Sequence, residues 1–341
     1  MFEFLGQKTD RLGREILGGL GMAKVKRFRA PGLDEAYRSE IVRESSDKMF
    51  RSVENWLCVF QRPRVRIEVE NVSAFANAAI AANVRQLFLV IFGSITQDAC
   101  QRLRDTLAAQ DIALVCLAGS LARSLAMDFG KLAKSKNSDG EPHFAFGRLR
   151  EHARKKFEES PWHKYFQTAS IQPARILPLQ RERDATLAEA DLVRALQGGS
   201  VLLLGEPGAR KTTSLLALAR DLSAVGPLTP VFVPLGRYNG DFWKTLGEAL
   251  SPGAESVAEP LARELVESGG LVLLLDGINE VQQPDLHAKL VSELNELTAP
   301  DQRTANSRWI VSGRVHDYQQ AHHQLVHLER RRWEMQPFTA D

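Results

Sequence analysis

The chain has few cysteines, no long apolar run and almost no net charge, and each shortage excludes something. Only Cys58, Cys100 and Cys116 occur among its 341 residues. Their spacing fits no metal motif, and nothing about them suggests an oxidising compartment. Cys58 and Cys116 sit inside apolar runs and read as small core residues. Apolar runs such as Leu87 to Phe92 and Leu271 to Leu275 are far shorter than the roughly 20 residues of a membrane helix. The opening residues, MFEFLGQKTDRLG, hold no apolar core of signal-peptide length. The expectation is a cytoplasmic protein with no membrane partner. Lys and Arg total 44 against 42 Asp and Glu, a formal net charge of +2. That balance gives no global argument for nucleic acid, so a basic partner surface has to be local.

What is present describes a soluble globular chain. Hydrophobic residues make up 44% and charged residues 25%, enough for sizeable cores. The length favours two domains.

The stretch that organises the chain is Ser200 to Thr213, SVLLLGEPGARKTT. An apolar strand stops at Gly205, a short loop follows, and Lys211, Thr212 and Thr213 open an apolar-periodic helix. A strand, a phosphate-sized loop and a helix N-terminus together form an anion cradle of backbone N–H groups. Gly205, Lys211 and Thr212 meet the Walker A pattern G-x-x-x-x-G-K-[ST]. Arg210 stands where its second glycine is expected. The loop residues Gly205, Glu206, Pro207, Gly208, Ala209, Arg210, Lys211, Thr212 and Thr213 are the candidate nucleotide-binding set.

Two further stretches complete that chemistry. In GLVLLLDGINE an apolar strand ends in Asp276, with Glu280 four residues on. A continuous Leu/Val run fits a parallel strand buried on both faces. Its carboxyl end is where open α/β sheets bind ligands. This is a Walker B arrangement, with Asp276 and Thr212 as candidate Mg²⁺ ligands. Glu280 is placed to orient a hydrolytic water. In RWIVSGR a strand runs into Arg314, a candidate to reach a γ-phosphate and stabilise charge on it.

The remaining pattern alternates strand and helix. The N-terminal half reads as a helix over 9–20, strands over 24–29, 35–43, 48–52 and 56–60, a helix over 73–82, a strand over 87–92, a helix over 97–109, a strand over 112–117 and a helix over 120–127. Residues 130–140 read as a polar loop. A basic helix over 143–160 gathers Arg148, Arg150, Arg154, Lys155 and Lys156. A solvated helix face is the commoner reading, and a nucleic-acid or acidic-partner contact at 148–156 stays open. Residues 161–178 read as a docked connector. Thr186 and Glu189 have capping-box spacing for a helix over 186–196, with Gly198-Gly199 as its stop. Strand 231–235 and helices 241–250 and 257–268 follow. His322, His323 and His327 read as a surface helix rather than a metal site.

Two family resemblances emerge from these stretches. LLLGEPGARKTTSLLALA, PVFVPLGRY, LVLLLDGINEV and WIVSGRVHDY resemble the NACHT branch of the STAND P-loop NTPases over roughly 189–341. The resemblance implies a P-loop parallel sheet with flanking helices that binds ATP or dATP with Mg²⁺ and hydrolyses it slowly. It implies a signalling switch that self-associates on activation, often in bacterial anti-phage defence. Asn279 departs from a second acidic residue common in that family, though Glu280 remains. RRRWEMQPFTAD resembles the entry to the family's helical part, so the chain is expected to be truncated before the winged helix.

The run from Val69 to Leu125 looks like the second half of a type IV restriction-endonuclease domain of the PD-(D/E)xK fold, and the resemblance covers roughly Trp56 to Leu125. That resemblance implies a metal-ligand position at Val59 and a lysine position at Gln61. Val cannot bind a metal, and an amide carries no charge. Asp34 and Asp47 are candidates for the upstream acidic position. The expectation is an α/β chain: a nuclease-like domain over 1–130, inactive and kept as a binding or effector module, a basic helix and connector over 131–185, and a NACHT-type core over 186–341. A pseudo-NTPase interaction module, an NTPase-controlled DNA nuclease, and an unrelated N-terminal α/β domain are the alternatives.

Overall fold

A computed structural model describes residues 9–44, 51–63, 65–130, 144–161, 176–178, 192, 196, 199–251, 256–300, 302–320, 325–328 and 331–335. The expected segments at 48–50, at 131–140 and over most of 161–175 and 186–198, with Asp47, His322 and His323, lie outside them. The chain is α/β and divides into two units. One holds residues 1–148 with 224–227, and the other 149–223 with 228–341.

The first unit opens with helix α1 (Thr9–Gly19), whose Leu12, Ile16 and Leu17 are buried at the i, i+4, i+5 spacing of one helix face. Strands β1 (Ala23–Phe28), β2 (Glu35–Glu44) and β3 (Arg51–Gln61) form an antiparallel meander. The sequence read β3 as two strands, and the structure joins them as one. A short strand β4 (Arg66–Ile67) and helix α2 (Val72–Ala81) lead to β5 (Gln86–Ile91). Strand β6 (Ser94–Ile95), helix α3 (Gln97–Ala108), β7 (Ala113–Ala118) and α4 (Gly119–Phe129) follow. The sheet order is β1-β2-β3-β5-β7, with β3, β5 and β7 parallel. The helical crossovers α2 and α3 are what make that parallel half possible.

One core collects Phe75 and Ala79 of α2, Leu103 and Leu107 of α3, and Leu57, Val59, Leu87, Leu89 and Ile91 of the sheet. Tyr37, Phe60 and Phe88 stack edge to face, with ring centroids 6.0 and 6.4 Å apart. The Cys58 thiol, wholly buried, is pushed up to about 12 by desolvation. That fits its reading as an inert core residue.

In the second unit, α5 (Phe146–Glu158) is the expected basic helix, and the unit boundary falls within it at 148/149. Its charge is not all solvated. Arg150 is buried, and its guanidinium donates to the carbonyls of Ser223 (2.8 and 3.1 Å) and Leu222 (3.4 Å). These are carbonyls at the end of α6 (Lys211–Ala224), where a helix lacks internal donors and a cation is favourable. Phe157 is fully buried against Leu216 and Ala217. The solvated-face reading therefore holds for Arg148, Arg154 and Lys155 and fails for Arg150.

Strands β8 (Ile176–Pro178), β9 (Val201–Gly205), β10 (Thr229–Pro234), β11 (Leu271–Asp276), β12 (Arg308–Gly313) and β13 (Arg332–Met335) form one sheet. Its order is β10-β11-β12-β9-β13-β8, parallel except for β8. Helices α7 (Phe242–Leu250), α8 (Glu259–Glu267), α9 (Pro284–Thr298) and α10 (Val315–Gln320) join these strands. Asp241 caps α7 by accepting from the Lys244 amide at 3.0 Å. Helix α9 was not anticipated from the sequence. Residues 332–335 add a strand beside β9, where the sequence suggested entry into a helical part. His327 lies in a turn, not on a helix.

Candidate functional site

The site grows from three neighbouring strands that end at the same edge. Every residue of β9, β11 and β12 is buried, which explains the apolar runs Val201–Leu204, Leu271–Leu275 and Trp309–Val311. The strand carrying Arg314 lies between the loop strand and the Asp276 strand. This order brings three stretches far apart in sequence to one carboxyl edge.

The loop after β9 turns through left-handed backbone. Gly208 has φ +78°, a conformation glycine adopts freely. Arg210 has φ +62°. The position where the pattern expects glycine is thus one that needs left-handed backbone, and an arginine adopts it at about 1–2 kcal/mol. Lys211 then opens α6. Its ammonium donates to the carbonyls of Gly205 (2.7 Å) and Glu206 (3.1 Å). Burial lowers its pKa, Asp276 works against that shift, and Arg314 adds to it. Glu206 and Pro207 are exposed, Ala209 is buried, and Thr213 is 3% exposed.

Asp276 is the hub. Thr212 Oγ1 donates to its Oδ2 at 2.7 Å, and Ser312 Oγ donates to its Oδ1 at 2.6 Å. The Gly277 amide in turn donates to Ser312 Oγ at 2.9 Å. Ser312 is completely buried, so its hydroxyl is fixed by two partners. No local sequence pattern assigns this serine a role. The available signal was a polar residue ending an apolar strand in register with one ending in Asp.

Gly277 has φ +79°, and a Cβ there would lie 2.6 Å from the Glu280 carboxyl carbon. Glycine lets the chain fold back so that Glu280 lies over the end of β11. A Cβ on Gly236 would also approach Glu280, at 3.0 Å from Oε2. Burial raises the Glu280 pKa, Asp276 reinforces the shift, and Arg314 and Lys211 oppose it. All four groups therefore share one electrostatic neighbourhood. Asn279 has a separate task, its Oδ1 accepting from the Arg314 amide at 3.2 Å. The Arg314 side chain is half exposed, 3.9 Å from Asp317.

The chemistry of this set suits a hard cation and a phosphate chain. Thr212 and Asp276 offer oxygen donors side by side, the kind Mg²⁺ takes beside phosphate oxygens. Among the described residues no group of three His, Cys, Asp or Glu comes together as a protein-only metal site.

The corresponding edge of the first unit differs. Val59 is fully buried and Gln61 is 3% exposed. Asp34 Oδ2 accepts from the Arg62 amide at 3.0 Å, and its Oδ1 lies 3.7 Å from the Arg62 guanidinium. No helix of the described residues is long and apolar enough to cross a membrane. No protein-family model and no curated protein matches the chain.

Proposed function

We propose that the C-terminal unit is a P-loop NTPase core of the NACHT/STAND type, working as an ATP-dependent signalling switch in bacterial anti-phage defence. The observation that carries this reading is the Thr212–Asp276–Ser312 hydrogen-bond set at the shared edge of β9, β11 and β12. Loop, carboxylate strand and arginine strand converge there, as nucleotide and Mg²⁺ require. Thr212 and Asp276 would hold the Mg²⁺, directly and through water. Lys211 and the loop amides would hold the phosphates of ATP or dATP, and Mg²⁺ would neutralise charge on them. Glu280 would orient water, and Arg314 would sense the γ-phosphate. Self-association on activation belongs to the same reading.

The element order of the first unit supports a nuclease-like fold. The buried Val59 and Gln61, with Asp34 engaged by Arg62, support a module without cleavage. A plasmid-nicking assay with Mg²⁺ or Mn²⁺ should show no activity. Cleavage abolished by Asp34→Asn would overturn that part and favour an NTPase-controlled nuclease.

Isothermal titration with ATP and Mg²⁺ tests the main reading. We expect binding that Lys211→Ala weakens about 100-fold, through loss of a charge-assisted phosphate contact. A folded chain that binds no nucleotide would sink the switch. The left-handed Arg210 favours one second reading, a pseudo-NTPase interaction module, and Arg210→Gly gaining ATP binding would support it.

A further inference from the structure

Two cations oppose each other on the sheet of the first unit. Lys26 of β1 stands directly across from Arg38 of β2 in the antiparallel register. Like charges placed directly opposite are destabilising. Among the described residues neither side chain has an ion-pair partner. Nearby, Lys24 is neutralised, with its Nζ 2.9 Å from Glu40 Oε2. These groups and Asn55 line a cavity of about 290 Å³. Asn55 is cross-strand to Glu40, so the cavity spans β1, β2 and β3.

The backbone is adjusted at the same place. Ala23 pairs with Glu40 and Lys26 with Arg38, so β1 carries one extra residue between them. Lys24 sits in that bulge at φ +49°, uncommon for a lysine. Bulges re-aim side chains, and this one leaves Lys24 and Lys26 lining the same cavity. Lysines on an edge strand also serve to block strand addition. That role accounts for β1 but not for Arg38, which lies on the interior strand β2.

We propose that this cavity is an oxyanion seat that holds a phosphate group between Lys26 and Arg38, with the Asn55 amide as neutral donor. A guanidinium can present two parallel N–H donors to a phosphate, and an ammonium adds a compact charge. Bound phosphate also turns the like-charge pair from a cost into a binding contribution. The seat is separate from the Gln61 edge, since Asn55 lies six residues earlier on β3, about 20 Å along an extended strand. Its ligand is a phosphate ester, free or within a polynucleotide, and the proposal does not depend on the NTPase reading.

Isothermal titration of the full chain with inorganic phosphate, and fluorescence anisotropy with a short DNA duplex, test it. Both are run on wild type, Arg38→Gln, the Lys26→Gln/Arg38→Gln double variant and Lys211→Ala. Lys211→Ala removes the phosphate contact of the loop after β9 and should leave a second phosphate site, which the Lys26→Gln/Arg38→Gln substitutions weaken about tenfold or more. Sensitivity in the phosphate arm alone identifies a free phosphate ester. Sensitivity in the duplex arm, with a salt slope reduced by about 2 in the double variant, identifies a polynucleotide. Arg38→Gln should also raise the urea midpoint, which a purely structural arginine would not do. Binding unaffected by Lys26 and Arg38, binding abolished by Lys211→Ala, or no binding in either arm would overturn the seat.

Discussion

The two sheets of this chain share a device and use it differently. Each contains three adjacent parallel strands whose carboxyl ends line up at one edge. In the second unit those strands end in Gly205, Asp276 and Gly313, and Asp276 accepts from Ser312 of the neighbouring strand and from Thr212 at the start of α6. In the first unit β3, β5 and β7 end in Gln61, Ile91 and Ala118. Asp34, the candidate carboxylate described there, accepts from the Arg62 amide. Parallel strands thus supply an edge, and the polar residues at and just beyond the strand ends decide which hydrogen bonds it makes.

The strongest way to break this comparison is to place the missing charge on the first edge. Gln61→Lys would bury an ammonium at a position now 3% exposed. We expect a loss of about 3 kcal/mol in urea unfolding, because a buried cation needs a matched partner. Unchanged stability would mean that Asp34 accepts the lysine, and metal chemistry at this edge would have to be reconsidered. On the second edge, Ser312→Ala removes a donor to Asp276 and an acceptor for the Gly277 amide in a fully buried place. The expected cost is about 2 kcal/mol. Mg²⁺-supported nucleotide binding should weaken while any Mg²⁺-independent binding stays. Equal loss with and without Mg²⁺ would show that Ser312 serves the loop rather than the carboxylate.

These two edges also show what could be read from the sequence. Lys211, Thr212, Asp276, Glu280 and Arg314 stood out because each follows an apolar run or a glycine loop, and the structure brings them together. Ser312 and Asn279 did not, because their tasks depend on which strand lies beside which. Strand order is set by non-local packing, and no local pattern records it. Arg150 was misread for a related reason. A cation among cations looks solvated until a neighbouring helix end offers carbonyls. The strand at 332–335 was missed because RWEM is short and charged, and its pairing with β9 is what makes it a strand.

A smaller effect is expected at Arg210. Left-handed backbone costs an arginine about 1–2 kcal/mol, while glycine adds roughly 0.5–1 kcal/mol of unfolded-chain entropy. Arg210→Gly should therefore raise stability by about 0.5 kcal/mol, read from a chemical-denaturation midpoint. A fall of more than about 1 kcal/mol would show that the contacts of the arginine side chain outweigh the strain in the loop.

The smallest effect separates the edges by pH. Burial and Asp276 raise the Glu280 pKa above its ordinary 4.5, with Arg314 and Lys211 opposing. A raised folded-state value means that folding favours the protonated carboxyl. Its contribution is complete below the unfolded value and is lost as pH rises through the folded one. At neutral pH the ionised Glu280 therefore works against folding, modestly, because the side chain is exposed and solvent screens it. Glu280→Gln should be slightly more stable than wild type at neutral pH and equal to it well below pH 4.5. If Glu280 also orients water, the same variant should bind ATP normally and hydrolyse it more slowly. A variant less stable at neutral pH would mean that attraction to Lys211 and Arg314 outweighs burial and Asp276, and the balance of charge at this edge would be the reverse of the one derived.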